Sequence, residues 1–265
     1  AKDKKDYQSF LNRCVKLIDH YILNGYNFAK HLFDVNAELK TDTESGSLII
    51  SLSTLGDGEI YYTTDGSVPS VKSNKYETPV QIKTDTHFQA RVIRSSGESR
   101  VYEEKIYFSK GTMKPIVLTE EPSKGYSFNG APVLNDGIKG NGNYKTGRWL
   151  GFQGKDIVAT FDLKEATEIS KIRFATNVVK GDWIMDARQV YVSVSDDGKT
   201  FREVGKEELP EMQMADKDGL FVHELDFTSV KAKYVQVTIK KVNLPSWHGG
   251  AGNPAFIFVD EIEIL

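Results

Sequence analysis

The sequence predicts a mainly β protein that begins with a helical segment and continues through two β-sandwiches. Apolar residues recur at helical spacing near the start of the 265-residue chain. Most of the remaining sequence consists of short runs in which apolar and polar residues alternate, as they do in half-buried strands. Asp-Gly and Pro turn signals separate several of these runs. The length allows one large domain or two smaller ones.

Residues 1–39 are predicted to be helical. Phe10, Cys14, Leu17 and Tyr21 recur every three or four residues. This apolar stripe is wide, so the helix is expected to pack against a partner surface. Because Cys14 lies on the stripe, a buried structural thiol is favoured over a nucleophile. The chain begins AKDKKDYQSF, and we expect this point to lie inside a longer protein.

Residues 40–110 are predicted to form a small β-sandwich of immunoglobulin-like type. The runs LIISLS, EIYYTT, HFQARVI and EEKIYFS are short and rich in β-branched or aromatic residues. The segment TDGSVPS between two of them has turn chemistry. About 70 residues of such strands are enough for a small sandwich.

Residues 111–265 are predicted to form a larger sandwich of jelly-roll type. The segment GKDIVATFDL places Ile157, Ala159 and Phe161 on one face. The segments RQVYVSVSDDGKTF and KAKYVQVTIK alternate in the same way. In a regular closing strand, Asp260 would share the face of its alternating neighbours (Phe256, Phe258, Ile262, Ile264). An acid fits that core face only if the strand bulges or an ion is bound.

Charge and motif content argue against several functions. The net charge is −3 and no long Lys/Arg run occurs, so we expect no nucleic-acid partner. No apolar run approaches the ~20 residues of a membrane helix, so we expect no membrane partner. The five histidines are scattered, and no HExxH, GxSxG or P-loop motif is present. We therefore expect no catalysis by this chain.

The three tryptophans lie in loop-like contexts of the last region. Sugar-binding proteins set aromatic rings against the apolar faces of pyranoses and add polar side chains for the hydroxyls. Trp149 directly precedes a predicted strand, which favours a structural role. Trp183 and Trp247 are candidates for sugar platforms, with core packing as the alternative. His248, beside Trp247, could hydrogen-bond a sugar hydroxyl.

A Gly-rich loop, LNDGIKGNGNYKTGRW, offers oxygen donors of the kind that Ca²⁺ takes. Asp136, Asn141, Asn143 and Thr146 supply them, without the spacing of an EF-hand. A carboxylate from elsewhere in the chain would strengthen this hypothesis.

Several motifs resemble known families. The stretch IYYTTDGSVPS resembles the C-terminal β domain of chitobiases and related β-N-acetylhexosaminidases. The segment YQSFLNRCVKLIDHYILNGYNFAKHLFDV resembles the end of a family 20 glycoside hydrolase barrel. From about residue 126 onward, LNDGIKG, GRWLGFQGKDIVATFDL, VYVSVSDDGKTF and FVDEIEIL resemble the discoidin or factor 5/8 type C module, which in glycosidases is classed as a family 32 carbohydrate-binding module.

These resemblances imply a fold, a metal and a set of contacts. The fold is a helical remnant, an immunoglobulin-like sandwich and a discoidin-like jelly roll. The metal is a structural Ca²⁺ held by Asp136 and Glu261, with Asp260 and Thr146 assisting. Leu150 follows Trp149 where some galactose-binding members have His, which argues against simple galactose binding. The expected ligand contacts are Trp183, Trp247, His248, Asp182, Arg188, Asn177 and Asn253.

The resemblances also imply a function. The catalytic Asp-Glu pair of the hydrolase family belongs to a barrel of ~250 residues, which this chain lacks. We therefore expect the non-catalytic C-terminal region of a secreted, periplasmic or cell-surface bacterial β-N-acetylhexosaminidase. It would bind galacto- or N-acetylhexosamine-containing glycans and thereby target the catalytic domain of the same chain. The alternative is that both sandwiches only buttress or space the barrel. A protein- or lipid-surface role would need exposed apolar spikes with a basic surround, and the sequence shows none.

Overall fold

A computed structural model describes residues 6–26, 33–95 and 97–265. The chain is mainly β, as predicted. It comprises α1 (Tyr7–Leu23), β1 (Asn36–Asp42), β2 (Ser47–Ser53), β3 (Glu59–Thr63), β4 (Asn74–Lys75), β5 (Val80–Ile82), β6 (Thr86–Arg94), β7 (Gly97–Glu98), β8 (Tyr102–Ile106), β9 (Ile116–Leu118), β10 (Leu150–Gln153), β11 (Ile157–Val178), β12 (Gln189–Ser195), β13 (Arg202–Glu208), β14 (Gly219–Ile239), β15 (Phe256–Val259) and β16 (Glu263–Ile264). Short 3-10 helices cover Ala131–Leu134 and Lys180–Asp182. Two compact units divide the chain, residues 1–40 with 48–106 and residues 41–47 with 107–265.

The helix covers only part of the predicted range and ends close to Gly25, a plausible stop signal in the sequence. It ends at Leu23, just before Gly25 with its positive φ of 70°, and the chain enters strand β1 at Asn36. The predicted helical range 1–39 is therefore corrected at its end, while residues 27–32 lie outside the described ranges. Phe10 and Leu17 on the predicted apolar stripe are exposed. Within the described ranges, no helix has the length and hydropathy needed to cross a membrane.

The first unit contains two antiparallel sheets. One has the strand order β1-β2-β5, and the other has the order β4-β3-β6-β7 with β8 also paired to β6. Buried side chains alternate along β2, where Leu48, Ile50 and Leu52 face inward. This arrangement agrees with a small sandwich.

The second unit is a sandwich built around two long strands, β11 and β14. They pair antiparallel along most of their length, with a register shift between Asp162 and Thr167 of β11. Before the shift β11 also pairs with β9, and after it with β15 and β16. Each long strand therefore serves both layers. The alternating apolar residues predicted for β11, β12 and β14 fill the core (Ile157, Ala159, Phe161, Val190, Val192, Val194, Val235, Val237, Ile239).

The last strand is broken. Strand β15 ends at Val259, and β16 begins only at Glu263. Ile257 and Val259 face the main core, whereas Phe258 packs in a second cluster. The expectation that Phe256 and Phe258 share the face of the later isoleucines is thus wrong, because the break shifts the alternation. It also explains how an acid at 260 is accommodated.

Candidate functional site

Three loops of the second unit meet at one end of the sandwich. They comprise residues 179–188, 209–218 and 240–255. Lys180 Nζ donates to the carbonyl of Met214 at 3.1 Å, and His248 Nε2 lies 3.0 Å from the carbonyl of Lys180. The Leu209 amide donates to the carbonyl of Arg188 at 2.8 Å. The two loops predicted separately to contact a ligand therefore form one surface.

Trp183 is the exposed aromatic of this surface. Its side chain is 39% exposed, and its backbone is left-handed with φ 65°. A bulky residue rarely adopts this conformation, which costs roughly 1–2 kcal/mol. Two contacts stabilise this backbone conformation. Val179 and Ile184 form an antiparallel β-bridge, and the Phe256 amide donates to the Trp183 carbonyl at 2.8 Å. The loop therefore keeps an indole ring in one place at the surface.

His248 supports that ring from within the protein. Its ring meets the Trp183 ring edge-on at 6.2 Å and the Trp247 ring at 5.7 Å. The Gly250 amide donates to Nδ1 at 3.0 Å, so Nε2 carries the hydrogen that reaches the Lys180 carbonyl. Both ring nitrogens are thus used internally. The prediction that His248 bonds a sugar hydroxyl is corrected to a positioning role.

Trp247 is an anchor rather than an open platform. Its ring is half-buried and packs against the main core. The indole nitrogen Nε1 donates to the carbonyl of Met212 at 2.8 Å. The structure therefore places both predicted tryptophans on one surface but leaves Trp183 as the more exposed ring.

The polar residues predicted to contact a ligand differ in how deeply they are buried. Asn177 is fully buried and donates to the Asn141 carbonyl at 3.1 Å, so its predicted ligand contact is corrected to a structural one. Asp182 is exposed, and its Oδ2 accepts from the Tyr144 hydroxyl at 2.6 Å. Burial, and then this hydrogen bond to Asp182, raise the pKa of Tyr144.

Arg188 and Asn253 are engaged locally. Arg188 Nε donates to the Leu209 carbonyl at 3.1 Å, and its guanidinium pairs with Glu211 at 3.0 Å. Asn253 is exposed, and its amide donates to the Gly250 carbonyl at 2.9 Å. Both remain at the surface that Trp183 defines.

The sequence gives little sign of three supporting residues, Lys180, Tyr144 and Met212. Each acts through a partner more than 30 positions away, namely Met214, Asp182 and Trp247. Alternation and turn signals report neighbours in the chain, so such loop-to-loop contacts leave no local pattern.

A separate cluster of buried carboxylates lies where calcium was predicted. Glu261 is 2% exposed; its oxygens accept from the Gly137 amide at 3.0 Å and the Thr112 hydroxyl at 3.3 Å. Burial, and then the nearby charge of Asp136, raise the pKa of Glu261 well above its usual value. Two close acids in a buried site suit a divalent cation, which takes carboxylate and carbonyl oxygens. Among the described residues, no group of three or more His, Cys, Asp or Glu side chains forms a ready-made ligand set.

Asp260 belongs to the same cluster. It is 3% exposed and accepts from the amides of Gly140 and Ala175, both at 2.9 Å. Burial raises the pKa of Asp260 to about 7 despite these donors. Glu263 behaves differently, since Arg173 and Lys139 bind it and lower its pKa even though burial acts the other way. The exposed Thr146 donates its hydroxyl to the Asn143 carbonyl at 3.0 Å.

In metal-free buffer, Asp260 should make the protein less stable as the pH rises from about 4 to about 7. Its pKa is raised in the folded state, so the folded chain holds a proton that the unfolded chain has lost. The free energy of unfolding then falls by about 1.4 kcal/mol per pH unit from this group. Urea unfolding in chelator between pH 4.5 and 8 measures the slope.

The control for this slope is Asp260→Asn, which removes the titrating group. The wild type should lose more stability over this range than the variant, whatever the variant's absolute stability. Parallel curves for the two proteins would show that Asp260 titrates normally.

A family model described as F5/8 type C domain matches residues 120–256, just over half of the chain. The chain belongs to the F5/8 type C family. A second model, described as Fn3 associated, matches residues 50–106 of this F5/8 type C protein. No curated protein sequence matches it.

Several solved structures are similar to the F5/8 type C chain at low identity. Chitosan-binding module 1 of a chitosanase/glucanase from Paenibacillus sp. IK-5 has 15% identity and a TM-score of 0.39, covering 60% of this chain and 99% of that one. CpGH89CBM32-5 from Clostridium perfringens, in complex with GalNAc-β-1,3-galactose, has 20% identity and a TM-score of 0.38, covering 57% and 94%. A Streptococcus pneumoniae fucose binding module has 19% identity and a TM-score of 0.38, covering 60% and 94%.

Proposed function

We propose that this chain is the non-catalytic, glycan-binding C-terminal region of a β-N-acetylhexosaminidase-like glycosidase. The F5/8 type C module would hold a catalytic domain of the same longer chain on galacto- or N-acetylhexosamine-containing glycans, in a secreted, periplasmic or cell-surface bacterial enzyme. The resemblance of IYYTTDGSVPS to chitobiase β domains supports this parent enzyme.

The observation that carries glycan binding is the exposed ring of Trp183, fixed in a strained left-handed conformation where three loops meet. Strain of this kind persists where the surroundings enforce it, and it clusters at binding sites. A ring fixed in advance offers a sugar its apolar face without losing further freedom. His248 packs edge-on against the ring and is itself packed against Trp247, while Asp182 and Asn253 of the same loops are exposed.

Replacing Trp183 by alanine should abolish measurable glycan binding. One module binding one sugar is expected at high-micromolar to millimolar Kd, about −4 to −6 kcal/mol. Loss of a central aromatic contact costs about 2 kcal/mol or more, which exceeds what such weak binding can lose and remain detectable. A glycan array with multivalent display of each protein, run with and without calcium, measures this.

The matched control is Val222→Ala, which removes a side chain that is 66% exposed on strand β14. It should bind as the wild type does. If the wild type binds no glycan, or if Trp183→Ala binds as well as the wild type, the sugar platform is wrong. The alternative then stands, in which both sandwiches only buttress or space the barrel.

We also propose a structural Ca²⁺ in the buried carboxylate cluster. Asp136 and Glu261 would be its side-chain ligands, with Asp260 assisting, carbonyl oxygens of the 136–146 loop completing the shell, and Thr146 as a further candidate. The supporting observation is the burial of Glu261 beside Asp136, since burial and then the charge of Asp136 raise the pKa of Glu261, and a divalent cation would neutralise these acids. The ion would fix the loop to the broken closing strand.

A further inference from the structure

Asp186 is a buried carboxylate that the platform around Trp183 does not explain. It is 8% exposed, and its Oδ1 is the acceptor for three donors. These are the Thr176 hydroxyl at 2.5 Å, the Ala187 amide at 2.8 Å and His223 Nε2 at 2.8 Å. Among the described residues, none donates a hydrogen bond to its Oδ2. This oxygen is still in contact with solvent. Oδ1 thus bonds to groups of the protein itself, and Oδ2 remains able to accept a hydrogen bond from another donor.

A small pocket opens beside this carboxylate. Its free volume is about 20 Å³, and half of its lining residues are apolar (Met185, Met212, Val242, Pro245). Asp186 lines it together with Arg188, Glu211 and Asn243. Arg188 is already bound to Glu211 and to the Leu209 carbonyl. The pocket therefore places flexible apolar side chains beside a carboxylate that has one unbonded oxygen, and its one guanidinium already forms an ion pair with Glu211.

The volume decides what fits. A water-sized group needs a free volume of about 10–15 Å³, so the pocket holds one such group and not a sugar ring. The acceptor oxygen requires a donor on that group, and the apolar walls suit a methylene carbon. Another carboxylate would meet the unneutralised side of Asp186 and be repelled. A hydroxymethyl group satisfies all three conditions.

The pocket lies among the same three loops that carry Trp183 and Trp247. The indole of Trp247 donates to the carbonyl of Met212 at 2.8 Å, and Pro245 begins the loop that carries Trp247. A glycan on this surface could place one ring substituent in the pocket while the ring itself stays outside.

We propose that the pocket beside Asp186 receives the exocyclic hydroxymethyl group of a hexose residue, whose hydroxyl donates to Asp186 Oδ2. This inference rests on the proposed glycan binding and adds a rule of specificity to it. Hexoses with a free primary hydroxyl bind, while 6-deoxy sugars and uronates of the same configuration are rejected.

NMR titration of the full chain with pairs of methyl glycosides tests this rule. The parents are galactose, glucose, mannose and N-acetylglucosamine, each compared with its 6-deoxy and 6-carboxylate counterparts. Loss of a hydrogen bond to a charged group should weaken binding about tenfold or more. Equal affinity for parent and 6-deoxy sugars overturns the pocket assignment and leaves glycan binding intact. Binding of no sugar in the panel overturns both.

Two variants locate the effect. Asp186→Asn keeps a carbonyl for the three internal donors and turns an amide NH₂ toward the pocket, so it should lose the preference for the hydroxymethyl sugar and accept the uronate. Asn243→Trp narrows the mouth from an exposed position and should remove the preference without disturbing the buried network, whereas Lys241→Trp, exposed and outside the pocket lining, should not. An unchanged preference in Asn243→Trp contradicts the assignment even if Asp186→Asn fails to fold.

Discussion

Replacing Trp149 by alanine is expected to destabilise the second unit by about 3–5 kcal/mol, the usual cost of truncating a fully buried tryptophan. Trp149 has no exposed surface, and its indole nitrogen donates to the Asn141 carbonyl at 3.0 Å. A Cβ at Gly140 would come within 2.2 Å of the ring, so backbone and ring already touch. The cavity could not close without moving this loop, and chemical denaturation should show the loss as a lower midpoint.

The same substitution at Trp183 is the matched control. Its ring is 39% exposed, so truncation removes less buried surface, and the left-handed strain is unchanged because alanine keeps the Cβ. Its cost should be clearly smaller. Equal losses of stability for Trp149→Ala and Trp183→Ala would mean that the burial of Trp149 does not stabilise the second unit.

The second large effect concerns calcium. We expect Ca²⁺ in 100-fold excess over its Kd to stabilise the wild type by about 2.7 kcal/mol, because an ion that binds only the folded state shifts unfolding by mass action. Glu261→Gln should abolish this gain. The glutamine can accept from the Gly137 amide and donate to the Thr112 hydroxyl, so both contacts of Glu261 survive without its charge.

Unfolding at pH 8, with chelator and then with calcium, separates the outcomes. In chelator, Glu261→Gln should be at least as stable as the wild type, since it replaces a buried acid beside Asp136 with a neutral side chain. In calcium, only the wild type should gain. Identical wild-type curves in both buffers would contradict the metal site.

Strands were easier to predict than contacts. Alternation in GKDIVATFDL and KAKYVQVTIK placed residues such as Ile157 and Val237 in the core, because each strand face has a period of two. The closing strand defeated the same rule, since it breaks between Val259 and Glu263, where Asp260 accepts hydrogen bonds from the amides of Gly140 and Ala175. Those partners are 120 and 85 positions away.

In the candidate site, too, positions in the chain were easier to predict than contacts. The sequence placed Trp183 and Trp247 in loops, which is where they lie. It assigned His248 and Asn177 to a ligand because the sequence around a polar side chain gives no sign of its distant partner. Their partners are the carbonyls of Lys180 and Asn141, 68 and 36 positions away. The pocket beside Asp186 was not predicted, since it joins residues from three loops.

The three tryptophans report directly, in one NMR spectrum, on whether glycans bind at the surface around Trp183. Each indole N–H gives its own resonance, and wild-type protein is titrated with galacto- and N-acetylhexosamine glycans. Glycan binding at this surface should produce a large shift for Trp183, a smaller one for Trp247 and none for Trp149, which has no exposed surface. A spectrum in which the Trp183 resonance stays still at every glycan concentration would contradict glycan binding at this surface.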